Sequence, residues 1–501
     1  MEKFYGYLST SNTVQILITD NSRIQLLTRE FAGAAIVYGV GQAIPAGLQL
    51  LLFIILARLL SPVELGLIGL SEGVAIIVAH IALMGLPAGL RRLFFRCESE
   101  SERRSFVATV LKGGIGVIFC VLALSYILVP WLVHVLGNEV LPPFYPYLAL
   151  AILLQIGYQF LEYRLALFQV NRQPMKNAIF QIVTGVAVTL TALIAVISLR
   201  ADAVGYFGGR TLAVAVLVIL ALWSLRSWLT AHFNRSIFRE VLVFSVPLLP
   251  HVMIGTILNF ADRYILELFQ PTAVVGLYTL AYTLGMAMLI VTLAFSMAWT
   301  PVFYLNCKVG TKGLQRIRIL SGKAFAVACL IACFGSVFAE DAVWLLFDER
   351  YHAIGKIVPI IIGGYLLHFL FSLFAFGVSQ DGRTWLIAPV TGLAALLNIG
   401  LNFWAIPHWG MSGAAWVTLV SFGVEALVIY WISQRLFRIP YPIKRFCIYL
   451  ILYAMLLWIS QWELAGSGRL ILYLPGIAVM GVLTWEILRK ESRITIMSMY
   501  D

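Results

Sequence analysis

Seven charged side chains interrupt stretches that are otherwise apolar: Arg58, Arg164, Arg210, Arg263, Glu72, Asp262 and Glu425. A charge placed in hydrocarbon costs about 2.5–3.5 kcal/mol on insertion scales, so such residues point to binding, ion movement or pairing. The guanidinium fork matches phosphate oxygens two at a time, which makes Arg210, Arg164, Arg58 and Arg263 candidates for contact with an anionic, phosphate-bearing cargo. Glu425, Glu72 and Asp262 are the candidates for coupling to an ion. Glu425 has Ser421, Phe422, Val428 and Ile429 one helical turn away, so no charge on its own helix answers it. Each candidate also has a structural reading. Arg58 and Arg263 fall near span ends, where a long cationic side chain snorkels to the interface, and Arg164 can do the same on the other side. Asp262 can pair with a neighbouring arginine. His80, His251 and His368 read first as polar contacts between helices.

Of the 501 positions, 61% are hydrophobic and 12% charged. Soluble chains hold about 25% charged and 45–50% apolar residues, so lipid must be the solvent for most of this one. The net charge of +11 does not indicate nucleic acid, because most basic residues sit in short loops beside apolar spans. There is no Gly-rich nucleotide loop, no cysteine or histidine spacing suited to a metal, and no cysteine pair of extracellular character. The six cysteines read as reduced structural residues. No cofactor is expected.

About fourteen stretches reach the roughly 20 residues needed to cross a bilayer, and runs of this length exclude strands. The expected fold is therefore an all-α integral membrane protein. A cytoplasmic segment 1–30 precedes an N-terminal lobe of six helices over 31–225 and a C-terminal lobe of six over 239–434. Two further helices over 443–488 and a cytoplasmic tail 489–501 complete the chain. With the N-terminus inside, about 28 of the 35 Lys and Arg fall on the cytoplasmic side, which predicts that both termini are cytoplasmic. A short acidic loop with Glu340, Asp341, Asp348 and Glu349 falls outside.

One polar break occurs twice. Ala57-Arg58-Leu59-Leu60-Ser61-Pro62-Val63-Glu64-Leu65-Gly66 ends the first span and opens the second. Ala261-Asp262-Arg263 leads through Pro271 to Gly276-Leu277-Tyr278 between the seventh and eighth. Both fall on the same side, so the halves are parallel repeats related by an axis along the membrane normal. The first break resembles the segment after the first helix of bacterial polysaccharide transporters, with Leu65 where an aromatic is usual. The stretch Ala261 to Tyr278 resembles their seventh-helix signature. Asn398-Ile399-Gly400-Leu401-Asn402-Phe403-Trp404-Ala405-Ile406-Pro407, with the following Gly410 and Gly413-Ala414-Ala415 joint, resembles a third segment. Together these identify the chain as similar to oligosaccharide flippases of the multidrug/oligosaccharidyl-lipid/polysaccharide (MOP) exporter superfamily.

That resemblance implies an inner-membrane transporter, not an enzyme. It would move a polyprenyl-pyrophosphate-linked oligosaccharide across the bilayer by alternating access, for O-antigen, capsule or exopolysaccharide. It also implies proton or sodium coupling, with a polysaccharide polymerase and assembly proteins as partners. Two helices beyond the twofold repeat favour a lipid-linked cargo. A multidrug or organic-cation antiporter of the same superfamily would present a more acidic cavity, and a membrane glycosyltransferase or polymerase would need a long external loop bearing carboxylates.

Overall fold

A computed structural model of the chain describes residues 21–137, 141–199 and 202–461, with eight more between 476 and 485. The expected tail 489–501, residues 1–20 of the N-terminal segment and most of the fourteenth span lie outside the described residues. Every regular element among the described residues is helical. In the N-terminal lobe these are α1 (Asn21–Leu59), α2 (Pro62–Leu83), short α3 (Leu86–Leu93), α4 (Glu100–Leu136), α5 (Ala149–Val170), α6 (Pro174–Leu199) and α7 (Asp202–Leu225). A connecting helix α8 (Arg235–Ser245) leads into α9 (Leu249–Phe269), α10 (Thr272–Gly285), α11 (Ala287–Lys308), α12 (Thr311–Leu346), α13 (Val358–Asp381) and α14 (Ile387–Leu436). Helix α15 (Ile443–Ser460) packs on the C-terminal lobe, where Tyr453 OH donates to Pro359 O at 2.9 Å.

Twelve helices among the described residues are long and apolar enough to cross a membrane. One of them holds two limbs. At Gly410 the backbone takes φ 53°, ψ −135°, and a Cβ on Gly413 would fall 2.6 Å from Ala405 O. Eight residues of unbroken helix rise about 12 Å, so the chain doubles back there. This is the Gly-rich joint expected between the eleventh and twelfth spans.

Local chemistry sets the helix starts and stops. Ser61 N donates to the Glu64 carboxylate at 2.6 Å while Glu64 N donates to Ser61 Oγ at 3.3 Å. Pro62 fills the first turn, where its missing N–H costs nothing. Ser99 and Glu102 form the same reciprocal cap on α4. Helix α2 stops where Met84 and Gly85 both take positive φ, 47° and 67°.

The two polar breaks lie at one end of the bundle, here termed the hairpin end, and they pack against each other. A Cβ on Gly66 would lie 2.4 Å from Thr272 O, and one on Gly276 would lie 1.7 Å from Pro62 O. The contact is reciprocal, as expected of parallel copies facing across a twofold axis. Only residues without a side chain allow α2 and α10 to approach so closely. Further bonds cross between the lobes around this point. Tyr264 OH donates to Leu70 O (2.7 Å), Tyr351 OH to Leu60 O (2.9 Å) and Arg58 Nε to Leu346 O (2.8 Å).

Candidate functional site

Below the closed hairpin end, a cavity of about 610 Å³ opens in the N-terminal lobe, within the usual range for small-molecule sites. Helices α1, α2, α3, α5 and α6 form its walls, and Leu248, Leu249 and Val252 at the start of α9 cover it. Its polar lining is concentrated in Gln49, Arg91, Tyr158, Gln159, Glu162 and Gln181.

Arg210 stands at the head of this cavity. It lies 8 residues into α7, Glu72 10 residues into α2, and Gln49 10 residues before the end of α1. At 1.5 Å per residue these positions converge about 12–15 Å from the hairpin end. The Arg210 guanidinium pairs with Glu72 Oε1 at 3.1 Å and donates to Gln49 Oε1 at 3.2 Å, Tyr158 OH at 3.3 Å and Tyr206 OH. Tyr206 OH in turn donates to Glu72 Oε1 at 2.7 Å. Arg210 is only 5% exposed, so its ion pair and hydrogen bonds are what make the burial tolerable. Gln49 and Tyr158 belong both to this network and to the cavity wall, so a ligand in the cavity touches groups that hold the arginine. Two residues singled out separately in the sequence, Glu72 and Arg210, are thus one unit.

A second cation lies at the opposite end of the same cavity. Arg91 on α3 pairs with Glu162 on α5 at 2.9 Å, both sides about one-third exposed. Its Nε is buried and has no hydrogen-bond partner among the described residues. In the sequence Arg91 reads as one of the basic residues that follow an apolar span. A signal for it existed in the Gly85-Leu86-Pro87 break just after an apolar span, which starts a short amphipathic helix burying Leu86, Leu90 and Leu93.

The other candidates lie elsewhere. Arg164 stacks on Phe168 at 4.3 Å and is not part of the cavity lining. Arg58 is exposed at the hairpin end on the Leu346 carbonyl. Arg263 does not snorkel to the interface. Helix α9 continues to Phe269, which leaves Arg263 buried in the C-terminal lobe, between the rings of Phe260 (4.6 Å) and Tyr282 (4.4 Å). Its Nη1 donates to Asn259 O at 2.7 Å. Asp262 is fully buried beside it and accepts from Tyr278 OH (2.7 Å), Arg263 N (2.9 Å) and Thr418 Oγ1 (3.4 Å) rather than from the arginine side chain. Glu425 finds its partner on another helix, with His368 Nδ1 3.4 Å away. Trp299, which near a span end suggests an interfacial belt, is instead buried on Phe295 and Phe303. No group of three or more potential metal ligands occurs among the described residues.

Residues 32–305, more than half of the chain, match the family model described as polysaccharide biosynthesis protein. The chain belongs to that family. No curated protein matches it. Among solved structures, it is similar to the lipid II flippase MurJ in an inward closed conformation, at 14% identity and a TM-score of 0.65 over 91% of this chain and 99% of that one. An inward-facing multidrug-resistance MATE transporter of the MOP superfamily also matches at 14% identity, with a TM-score of 0.64 over 80% and 97% of the two chains. A MOP-superfamily transporter from Pyrococcus furiosus, described as having a binding pocket of reversed polarity, matches at 13% identity and a TM-score of 0.51, over 81% and 95%. This family member therefore has the fold of MOP-superfamily transporters and is a multi-pass membrane protein.

Proposed function

We propose that this chain is a flippase moving a polyprenyl-pyrophosphate-linked oligosaccharide between the leaflets of a bacterial inner membrane, for surface polysaccharide. The observation that carries the reading is the cavity. It is a largely apolar chamber that carries a cluster of polar groups, with half-buried Arg91 in its wall and Gln49 and Tyr158 presenting the Arg210–Glu72 unit at its head. An anionic sugar-bearing headgroup needs cations, amides and aromatic hydroxyls while it is out of water, and these are the groups present. Each arginine at the cavity is paired with a glutamate, so the preference for an anionic cargo over the organic cation of an antiporter rests on the guanidinium fork's fit to phosphate and not on net charge.

Transport proceeds by alternating access. The α2–α10 contact closes the hairpin end, which the positive-inside bias assigns to the outer face, and both termini are then cytoplasmic. Proton or sodium coupling would fall to Glu72, Asp262 or Glu425, each of which is held by groups able to respond to ion binding. A strain lacking this chain should lose its surface polysaccharide and accumulate lipid-linked repeat units on the inner leaflet. Normal polymer in that strain would reject the reading.

A further inference from the structure

Between its two arginines the cavity carries a band of uncharged polar groups that have bonding capacity left over. Helices α5 and α6 are antiparallel neighbours joined by the short turn at 171–173, so depths along both can be counted from one level. Counted from the end opposite the hairpins, Gln181 of α6 stands about 10 Å deep and Glu162 of α5, the partner of Arg91, about 12 Å. Gln159 and Tyr158 follow at about 16 and 18 Å, on the way to the Arg210 unit. Tyr158, Gln159 and Gln181 all line the cavity. Gln159 is half-buried and makes no hydrogen bond among the described residues. The Gln181 amide is oriented by its neighbour. Asn177 Nδ2 donates to Leu165 O at 3.2 Å, so its Oδ1 is the atom that accepts from Gln181 Nε2 at 2.6 Å. Gln181 Oε1 is then an acceptor with no partner among the described residues. Tyr158 OH accepts from Arg210 Nη2 at 3.3 Å and keeps its own proton to donate. The wall beside Gln181 is apolar, with Leu165 and Phe180.

We infer that Gln159 and Gln181 set the specificity for the sugar joined to the pyrophosphate, and that this sugar is uncharged and bears an acetamido group. This deepens the proposed function and rests on it. With the pyrophosphate on Arg91, the next ring of the cargo falls in the uncharged band. A secondary amide offers an N–H on one side and a carbonyl on the other. Gln181 Oε1 accepts the first, and the Gln159 amide or the Tyr158 hydroxyl donates to the second. The two glutamines are about 6 Å apart in depth, within the span of one substituted sugar ring. The methyl of the acetamido group then lies on Leu165 and Phe180, where it loses nothing by leaving water. A ring bearing only hydroxyls would press some of them, unpaired, against that apolar wall. A carboxylate on the ring would find no spare cation, because Glu72 already holds Arg210.

The test titrates the full chain in lipid nanodiscs with three probes on the same short isoprenoid pyrophosphate. One carries N-acetylglucosamine, one glucose and one no sugar. A hydrogen bond of this kind contributes about 2- to 12-fold in affinity, and two are at stake. The wild type should therefore bind the N-acetylglucosamine probe at least fivefold more tightly than the glucose probe, a comparison that needs no variant. Gln159→Met keeps the side-chain bulk without its amide and should cut that ratio at least twofold. Arg91→Gln should weaken all three probes and leave the ratio as in the wild type. A wild-type ratio below fivefold overturns the assignment, as does a ratio that Gln159→Met leaves unchanged. Both results leave the flippase reading standing if the sugar-free probe binds. Failure of the sugar-free probe to bind the wild type would instead remove the headgroup reading, and this assignment with it.

Discussion

Replacing Gly276 with alanine adds one methyl group at the point where the two repeats touch. That carbon would stand 1.7 Å from Pro62 O and 2.8 Å from Gly66 N, and ordinary contact begins at 3.4 Å. Both opposing atoms are backbone, in a turn fixed by the Ser61–Glu64 cap, so no side chain can rotate aside. The helices must move apart by well over 1 Å or the α2–α10 contact must give way. Overpacking of this kind costs about 1–3 kcal/mol. The strain exists only while the hairpin end is closed, because separated helices leave the methyl in open space. Its effect is therefore a shift in the balance of states, by about 5- to 150-fold toward an open hairpin end. Thr279, buried against Gly69 in the same contact, is a suitable reporter as Thr279→Cys in a chain without its six native cysteines. Gly276→Ala should raise its labelling rate by a membrane-impermeant maleimide applied from the hairpin side. Gly400→Ala, where nothing lies within 4 Å of the new carbon, should not. Equal labelling in parent, Gly276→Ala and Gly400→Ala would refute the claim that this contact closes the path.

Three further outcomes follow from the same geometry. Arg210→Leu leaves Glu72 without its ion partner and should destabilise the protein by about 3–5 kcal/mol, read as lower thermal stability in detergent, with much of the loss restored when Glu72→Gln is added. Glu162→Gln releases Arg91 from a pair that is about one-third exposed, so stability should change by less than about 1 kcal/mol. In the same variant, affinity for a pyrophosphate-headed probe should rise, and it should fall in Arg91→Gln; titration of the purified protein with that probe measures both. Tyr351→Phe removes one bond across the hairpin end, worth about 0.5–1.5 kcal/mol, and should raise labelling at Thr279→Cys by about 2- to 12-fold.

The all-helical class, the repeated breaks and the fold back at Gly410 were legible because each rests on local causes. Span length follows from bilayer thickness. Helix α2 begins at a serine–glutamate cap with proline in its first turn, and the two limbs of α14 part where glycine takes a left-handed turn. The parallel relation of the halves could be read because a count of spans places both breaks on one side.

Charges inside spans could be found in the sequence, but their roles could not. Glu72 and Arg210 are 138 positions apart and meet only because α2 and α7 reach the same depth. Arg263 reads as an interface residue because the break through Pro271 follows it closely, but α9 runs on to Phe269, and aromatic rings and a backbone carbonyl hold the arginine in the C-terminal lobe. Arg91, in a basic stretch just after an apolar span, lines the cavity. The sequence by itself determined the solvent, the helices, the parallel repeat and the family resemblance, all of which depend on composition and on neighbours a few residues apart. Tertiary structure alone decided which arginines share a cavity, which acids have partners and that the duplicated break packs on itself, because those depend on where helices distant in the chain converge or separate.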